Sequence, residues 1–277
     1  MTQATHVYRR IGSVAFALFV LLGAGRGVAA PPDVKTIIAN MKQAMEPAPA
    51  SLRKVRLTVA QEGATSSITL GEARAKGADG NRILAVVLAP ADLRGTAYLT
   101  LEQPASNADK LWVYVPAIGR VREVVSPEAY SAVLNSDFTY ADLGFVTNRS
   151  KYSLLGEETT NGVHVYKIQA VPPQTWYYAR VVTTVAADSS LPIDRTYYDP
   201  ANELWKVERF QGVSTIDGVP TALTTTMDDM QSKSRSTLEV TDLRYGAQVP
   251  DALMRPESLP QAVASPVWAS LDAPVHK

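Results

Sequence analysis

From residue 51 onward, apolar and polar residues alternate with a period of two over most of the chain. The first run sets Val55, Leu57 and Val59 between polar neighbours. Similar runs cover 66–75, 81–88, 97–102, 110–115, 120–125, 152–158, 163–171, 179–186, 193–198, 203–211, 220–229 and 234–243. This period is typical of β-strands. Turn pairs such as Asn161-Gly162 and Asp217-Gly218 separate neighbouring runs and make them antiparallel. The pattern predicts one antiparallel sheet of roughly a dozen strands, which curls at that size.

Three segments depart from this period. Between Asp33 and Met45, apolar residues recur every three or four positions, which predicts an amphipathic helix. The segment from Ser126 to Gly144 predicts two short helices, because Pro127-Glu128 and Ser136-Asp137 are typical of helix starts. Residues 261–277 show no sustained period and are expected to form a weakly ordered tail.

A curled sheet of this size has a concave apolar face that a few helices cannot fill. The helix at 33–45 and the short helices at 126–144 offer apolar stripes to cover it. We therefore expect a mainly β fold with a few α-helices, an N-terminal helix and short lid helices over the sheet, and a hydrophobic cavity between them.

The N-terminus has the layout of a secretory signal peptide. Arg9 and Arg10 precede an uncharged, mostly apolar run at 11–25, and small residues follow at 27–30. We expect residues 1–30 to be a cleaved signal, with the cut after Ala29 or Ala30. The remaining chain then consists of one domain at 31–260 and the tail at 261–277, and it has no transmembrane anchor.

Composition excludes several classes of function. Removal of residues 1–30 takes away three arginines and no acid, which leaves 24 basic and 27 acidic residues and a net charge of about −3. Such a balance does not indicate nucleic-acid binding. The chain has no cysteine for a thiolate site or a lipid anchor, and only His164 and His276 remain after the signal. We therefore expect no metal, no cofactor and no histidine-based catalysis.

Three consecutive motifs carry a family resemblance: GTAYLT at 95–100, LWVYVPAIGRVREV at 111–124 and SDFTYADL at 136–143. They resemble the larger-protein branch of the outer-membrane lipoprotein-sorting proteins, the LolA-like periplasmic carriers. The resemblance implies an incomplete antiparallel β-barrel around a cavity for acyl chains, without cofactor or reaction. It also implies a soluble periplasmic protein whose partners are lipoprotein or lipid acyl chains, an inner-membrane transporter and an outer-membrane acceptor.

The predicted cavity wall combines the alternating strands with the third motif. Which face of each strand looks inward stays open at this point. The residues expected to contact a ligand are large and apolar or aromatic: Leu57, Leu99, Leu101, Trp112, Tyr114, Phe138, Tyr140 and Leu143.

Two other functions fit parts of the sequence. The protein could be a non-catalytic accessory subunit of an envelope lipid transporter, with the cavity receiving a loop of a partner. It could also be a glycan-acting enzyme that uses carboxylates such as Asp137 and Asp142. The enzyme is disfavoured because five positions along a helix direct the two carboxylates to different faces.

Overall fold

The structure is a computed structural model of the 277-residue chain. It describes Met1 and residues 32–77, 80–102, 109–125, 128–143, 150–173 and 177–272. All of the predicted signal peptide except Met1 lies outside these residues. The chain divides into the units Met1–Pro31 and Pro32–Lys277, and the second is described below. No helix within the described residues has the length and hydropathy needed to cross a membrane.

One α-helix and thirteen strands form the framework of the described chain. Helix α1 spans Val34–Met45, as predicted. Asp33 is its N-cap residue, and the Asp33 carboxylate accepts a hydrogen bond from the Thr36 amide at 2.9 Å. The strands are β1 Ser51–Gln61, β2 Ala64–Gly77, β3 Gly80–Ala89, β4 Ala97–Leu101, β5 Lys110–Val115, β6 Arg120–Val124, β7 Lys151–Thr160, β8 Val163–Val171, β9 Arg180–Ala186, β10 Pro192–Tyr198, β11 Leu204–Ile216, β12 Val219–Asp229 and β13 Ser234–Tyr245.

The strands form one antiparallel sheet in the order β6-β5-β4-β3-β2-β1-β13-β12-β11-β10-β9-β8-β7. Two meanders are therefore joined where β1 pairs with β13. The sheet curls without closing, and this confirms the predicted incomplete barrel. Strands β6 and β7 are consecutive in sequence but form opposite edges. Residues 128–143, called the crossover segment below, lie between these two strands in the sequence.

The inner face of the sheet is covered by α1 and by the crossover segment. Ile37 of α1 packs on Ile168 and Val185 of β8 and β9. At the other end of the helix, Asn81 of β3 donates a hydrogen bond to Glu46 at 2.8 Å. Helix α1 thus crosses the concave face from one meander to the other.

The crossover segment contains less helix than the sequence predicted. A 3-10 helix forms at Glu128–Tyr130, near the first predicted start. The second predicted helix, from Ser136 through Leu143, is wrong: the chain there makes turns, with a single bridge between Ala132 and Thr139. The side chains explain the difference, because Ser136 and Asp142 bond to nearby backbone amides within turns.

The outer face of strands β1–β5 is covered by the C-terminal part of the chain. Three 3-10 helices occupy Asp251–Met254, Pro256–Ala264 and Pro266–Asp272. Trp268 is 7% exposed and donates its indole N–H to the Ala262 carbonyl at 2.7 Å. Its ring lies so close to β2 that a Cβ on Gly71 would be 2.7 Å from the ring. The expectation of a weakly ordered tail is thus corrected for residues 261–272, which pack against the sheet.

Candidate functional site

A cavity of about 430 Å³ lies between the inner face of the sheet, α1 and the crossover segment. This volume falls within the range of about 300–1,000 Å³ that small-molecule sites occupy. Ile38, Met41 and Met45 face it from the helix, and Val133 and Leu134 face it from the crossover segment.

Much of the cavity wall is apolar. Its residues come from alternating positions on both meanders, as expected when one face of each strand lines a common space. The aliphatic part of the wall on the sheet includes Val55, Leu70, Ile83, Ala85, Val181 and Leu238.

Three charged residues interrupt this wall where β1 and β2 pair. Arg53 lies opposite Glu72, and Arg74 follows on the same face of β2. Arg74 donates from Nε to Glu72 Oε1 at 2.6 Å, and Arg53 Nε is 3.3 Å from the same oxygen. Their side chains are only 12%, 15% and 25% exposed for Arg53, Glu72 and Arg74. We call this group the arginine–glutamate cluster.

A second ion pair lies on β10 and β11. Arg195 donates to Glu208 Oε2 at 3.2 Å, and the Tyr197 hydroxyl donates to the same oxygen at 2.7 Å. Burial raises the pKa of Glu208, while Arg195 and Tyr197 act against this rise. Burial lowers the pKa of Arg195, but Glu208 and Tyr197 together outweigh this, so that the pKa of Arg195 stands above its ordinary value. This pair is balanced, with one cation for one carboxylate.

Apolar and polar contacts fix the crossover segment over one end of the cavity. Phe138 is fully buried in a cluster that includes Leu57 and Met227. The neighbouring Asp137 carboxylate accepts hydrogen bonds from the hydroxyls of Ser234 and Ser236 of β13. Lys206 of β11 donates to the Asp137 carbonyl at 2.6 Å. The segment is therefore anchored to strands in the middle of the sheet.

Asp142, the second carboxylate of the glycan-acting alternative, also makes structural hydrogen bonds. Asp142 accepts hydrogen bonds from the Thr139 amide and from the Tyr178 hydroxyl, each at 2.9 Å. Burial and then the charge of Asp142 raise the pKa of Tyr178 well above its ordinary value, so the phenol stays a neutral donor. Asp137 and Asp142 thus hold the crossover segment in place, which gives no support to the glycan-acting alternative.

Four of the eight predicted ligand residues lie on the inner side. Leu143 lines the cavity. Leu57 and Phe138 pack together in the buried cluster that joins the crossover segment to the sheet. The ring of Tyr140 lies 5.6 Å from that of Tyr98, a residue that lines the cavity and that sequence reasoning missed.

The other four predicted residues lie on the wrong face. Leu99, Leu101, Trp112 and Tyr114 pack on the outer side of β4 and β5, in one cluster with Leu259, Trp268 and Leu271 of the C-terminal 3-10 helices. The alternation predicts the strands β4 and β5, but it does not specify their inner face, and Tyr98 rather than Leu99 is the residue of β4 that lines the cavity. The prediction that these four contact a ligand in the cavity is corrected accordingly.

Sequence reasoning also missed the charged residues of the cavity. The sequence does contain a signal for them. Residues two apart on a strand share a face, so Arg53 lies on the same face as Val55 and Leu57, and Glu72 and Arg74 lie on the same face as Leu70. A charged residue on the buried face of a strand marks either an ion pair or a binding group.

Solved crystal structures share this fold, among them the following three. A DUF1329 family protein from Desulfovibrio piger is 25% identical, with a TM-score of 0.74 over 83% of this chain and 100% of that chain. A putative outer membrane lipoprotein-sorting protein domain from Vibrio parahaemolyticus is 22% identical, with a TM-score of 0.74 over 81% of this chain and 97% of that chain. A LolA superfamily protein from Nitrosomonas europaea is 18% identical, with a TM-score of 0.65 over 81% of this chain and 98% of that chain. The fold is therefore that of the LolA-like incomplete barrels.

A family profile of uncharacterised proteins matches residues 79–261, which is more than half of the chain. The chain belongs to this DUF1329-like family. A search of curated proteins found no match.

Proposed function

We propose that this protein is a non-catalytic carrier that holds an acyl chain of a lipid or lipoprotein in the cavity beneath α1 and the crossover segment. The observation that carries the proposal is the cavity of about 430 Å³ with its largely aliphatic wall. The contact residues we assign are Val55, Leu70, Leu143, Val181 and Leu238.

The energetics of transport support this role. Each methylene buried from water is worth about 0.8 kcal/mol, so an acyl chain of about 16 carbons costs about 13 kcal/mol to expose. A chain held against Leu70 and Leu238 avoids most of that cost. The route we propose begins with export to the periplasm by residues 1–30. It continues with loading from an inner-membrane transporter and ends with delivery to the outer membrane.

Similarity to the Vibrio parahaemolyticus protein adds support, because that structure is described as a putative outer membrane lipoprotein-sorting protein domain. The Nitrosomonas europaea structure belongs to the LolA superfamily. Both likenesses concern the fold, and the cavity of this chain supplies the argument for a ligand.

Native mass spectrometry of the exported protein tests the proposal. We expect protein isolated from the periplasm without detergent to carry an added mass of one lipid, which organic extraction identifies. The chain mass alone, with no extractable lipid, would contradict the carrier function. Stable binding of a membrane partner by such lipid-free protein would favour the accessory subunit instead.

A further inference from the structure

Along β1 and β2 the cavity wall changes from charged to apolar residues. Along β1, Arg53 belongs to the arginine–glutamate cluster, Val55 lines the aliphatic wall and Leu57 lies in the closed core under Phe138. Strand β2 repeats this order in the opposite direction, from Arg74 and Glu72 through Leu70. An amphiphile fits such a space with its headgroup at the cluster and its chain toward the crossover segment.

The cluster holds more hydrogen-bond donors than its acceptor uses. Each guanidinium has five N–H groups, and both arginines approach the same oxygen of Glu72. The Arg53 Nε is buried, and no atom of the described residues accepts a hydrogen bond from it. Burial, followed by the charge of Arg74, lowers the pKa of Arg53, although Glu72 acts in the opposite direction. Arg53 is therefore a buried cation without a full counter-charge.

The neighbouring carboxylate Glu46 acts on Arg74 rather than on Arg53. Its charge helps to raise the pKa of Arg74. Glu46 itself accepts a hydrogen bond from Asn81 and lies 4.0 Å from Lys42, which donates to Glu102 at 2.9 Å. Burial, and then repulsion from Glu102, raise the pKa of Glu46 and disfavour its charged form. Among the described residues, Glu72 is the only carboxylate within 4.0 Å of either arginine.

We propose that Arg53 and Arg74 bind the oxyanion headgroup, a carboxylate or a phosphate ester, of an amphiphile whose acyl chain lies along the aliphatic wall. This inference rests on the proposed carrier function and adds the chemical class of the headgroup. Arginine suits this role because its planar fork matches the two oxygens of such an anion.

Displacement of a fluorescent apolar dye from the exported protein tests the headgroup. The competitors are dodecanoate, dodecyl phosphate, 1-dodecanol and inorganic phosphate. We expect the two anionic amphiphiles to displace the dye at about tenfold lower concentration than the alcohol, because hydrogen bonds to charged groups are the strong ones. Inorganic phosphate is expected to leave the dye bound.

The Arg53→Met variant is expected to remove the difference between dodecanoate and dodecanol. Its thermal midpoint should be unchanged or higher, since Arg74 and Glu72 remain as a balanced pair. The matched control is Arg56→Met, three residues along the same strand, where the arginine is exposed on the outer face and pairs with Glu239. This control should keep the preference for the anion. Arg53→Gln replaces Arg53→Met if the methionine variant does not fold.

Several results would overturn the headgroup assignment. Equal displacement by dodecanoate and dodecanol from the unmodified protein would do so and would leave the carrier function intact. Binding of inorganic phosphate as tightly as dodecyl phosphate would show a site for free anions. A lower thermal midpoint of Arg53→Met with unchanged preference would show a purely structural ion pair. Failure of every amphiphile to displace the dye would instead contradict the carrier function itself.

Discussion

Replacing Glu72 by glutamine is expected to lower the free energy of unfolding by about 3–5 kcal/mol near pH 7, because this leaves two buried arginines without their shared carboxylate. Chemical denaturation of the unmodified and variant proteins measures this difference. The matched control is Glu239→Gln, which breaks an exposed ion pair with Arg56 and should cost no more than about 1 kcal/mol. Equal losses in the two variants would contradict the assigned role of Glu72.

The loss in Glu72→Gln should depend on pH in a defined direction. Burial acts to raise the pKa of Glu72, but the charges of Arg74 and Arg53 outweigh it and hold the pKa below the ordinary value of 4.5. A carboxyl group with a lowered pKa stabilises the fold above its unfolded pKa, and this contribution disappears as the pH falls through the folded value. The two proteins should therefore converge in stability on acidification below that ordinary value of 4.5.

Replacing Thr225 by tryptophan is expected to weaken acyl-chain binding by about tenfold or more. Thr225 lines the cavity and lies between Phe210 and Leu238 on the neighbouring strands, which also line it. An indole there takes space from the ligand, and the loss of about two buried methylenes accounts for a tenfold change. Titration with a fluorescent fatty acid measures the effect.

The control for this variant is the adjacent residue on the same strand. Thr224 lies opposite Gln211 and Glu239, which are both exposed, so its side chain is on the outer face. Thr224→Trp should bind the fatty acid as the unmodified protein does. If the two tryptophan variants bind equally well, the ligand is held somewhere other than this cavity.

The strands of the sheet could be predicted because the signals that specify them are local in the sequence. Each strand carries its own period of two, and hairpins such as Asn161-Gly162 fix the pairing of neighbours. The pairing of β1 with β13 joins residues such as Val55 and Val240, which are far apart in sequence. No local signal specifies such a contact, so the strand order became visible only in the structure.

The sequence could not predict which face of each strand lines the cavity, and the reason is physical. In β4 and β5 both faces are covered, so that Leu99 is as buried as Tyr98 and alternation cannot tell them apart. The cover on the outer face comes from the 3-10 helices, where the buried residues Leu259, Ala262, Trp268 and Leu271 are spaced by three or six positions. That period of three lies between the strand and α-helix periods, and it is the signal that the sequence interpretation of this segment missed.

Photo-crosslinking tests the central claim, that hydrocarbon lies between the inner face of the sheet and its two covers. A fatty acid with a diazirine near the end of its chain is bound to the exported protein, irradiated and mapped by peptide mass spectrometry. We predict labels on Leu70, Leu143 and Leu238, which line the cavity. Labels confined to Leu99, Trp112 and Tyr114, under the C-terminal 3-10 helices, would contradict it.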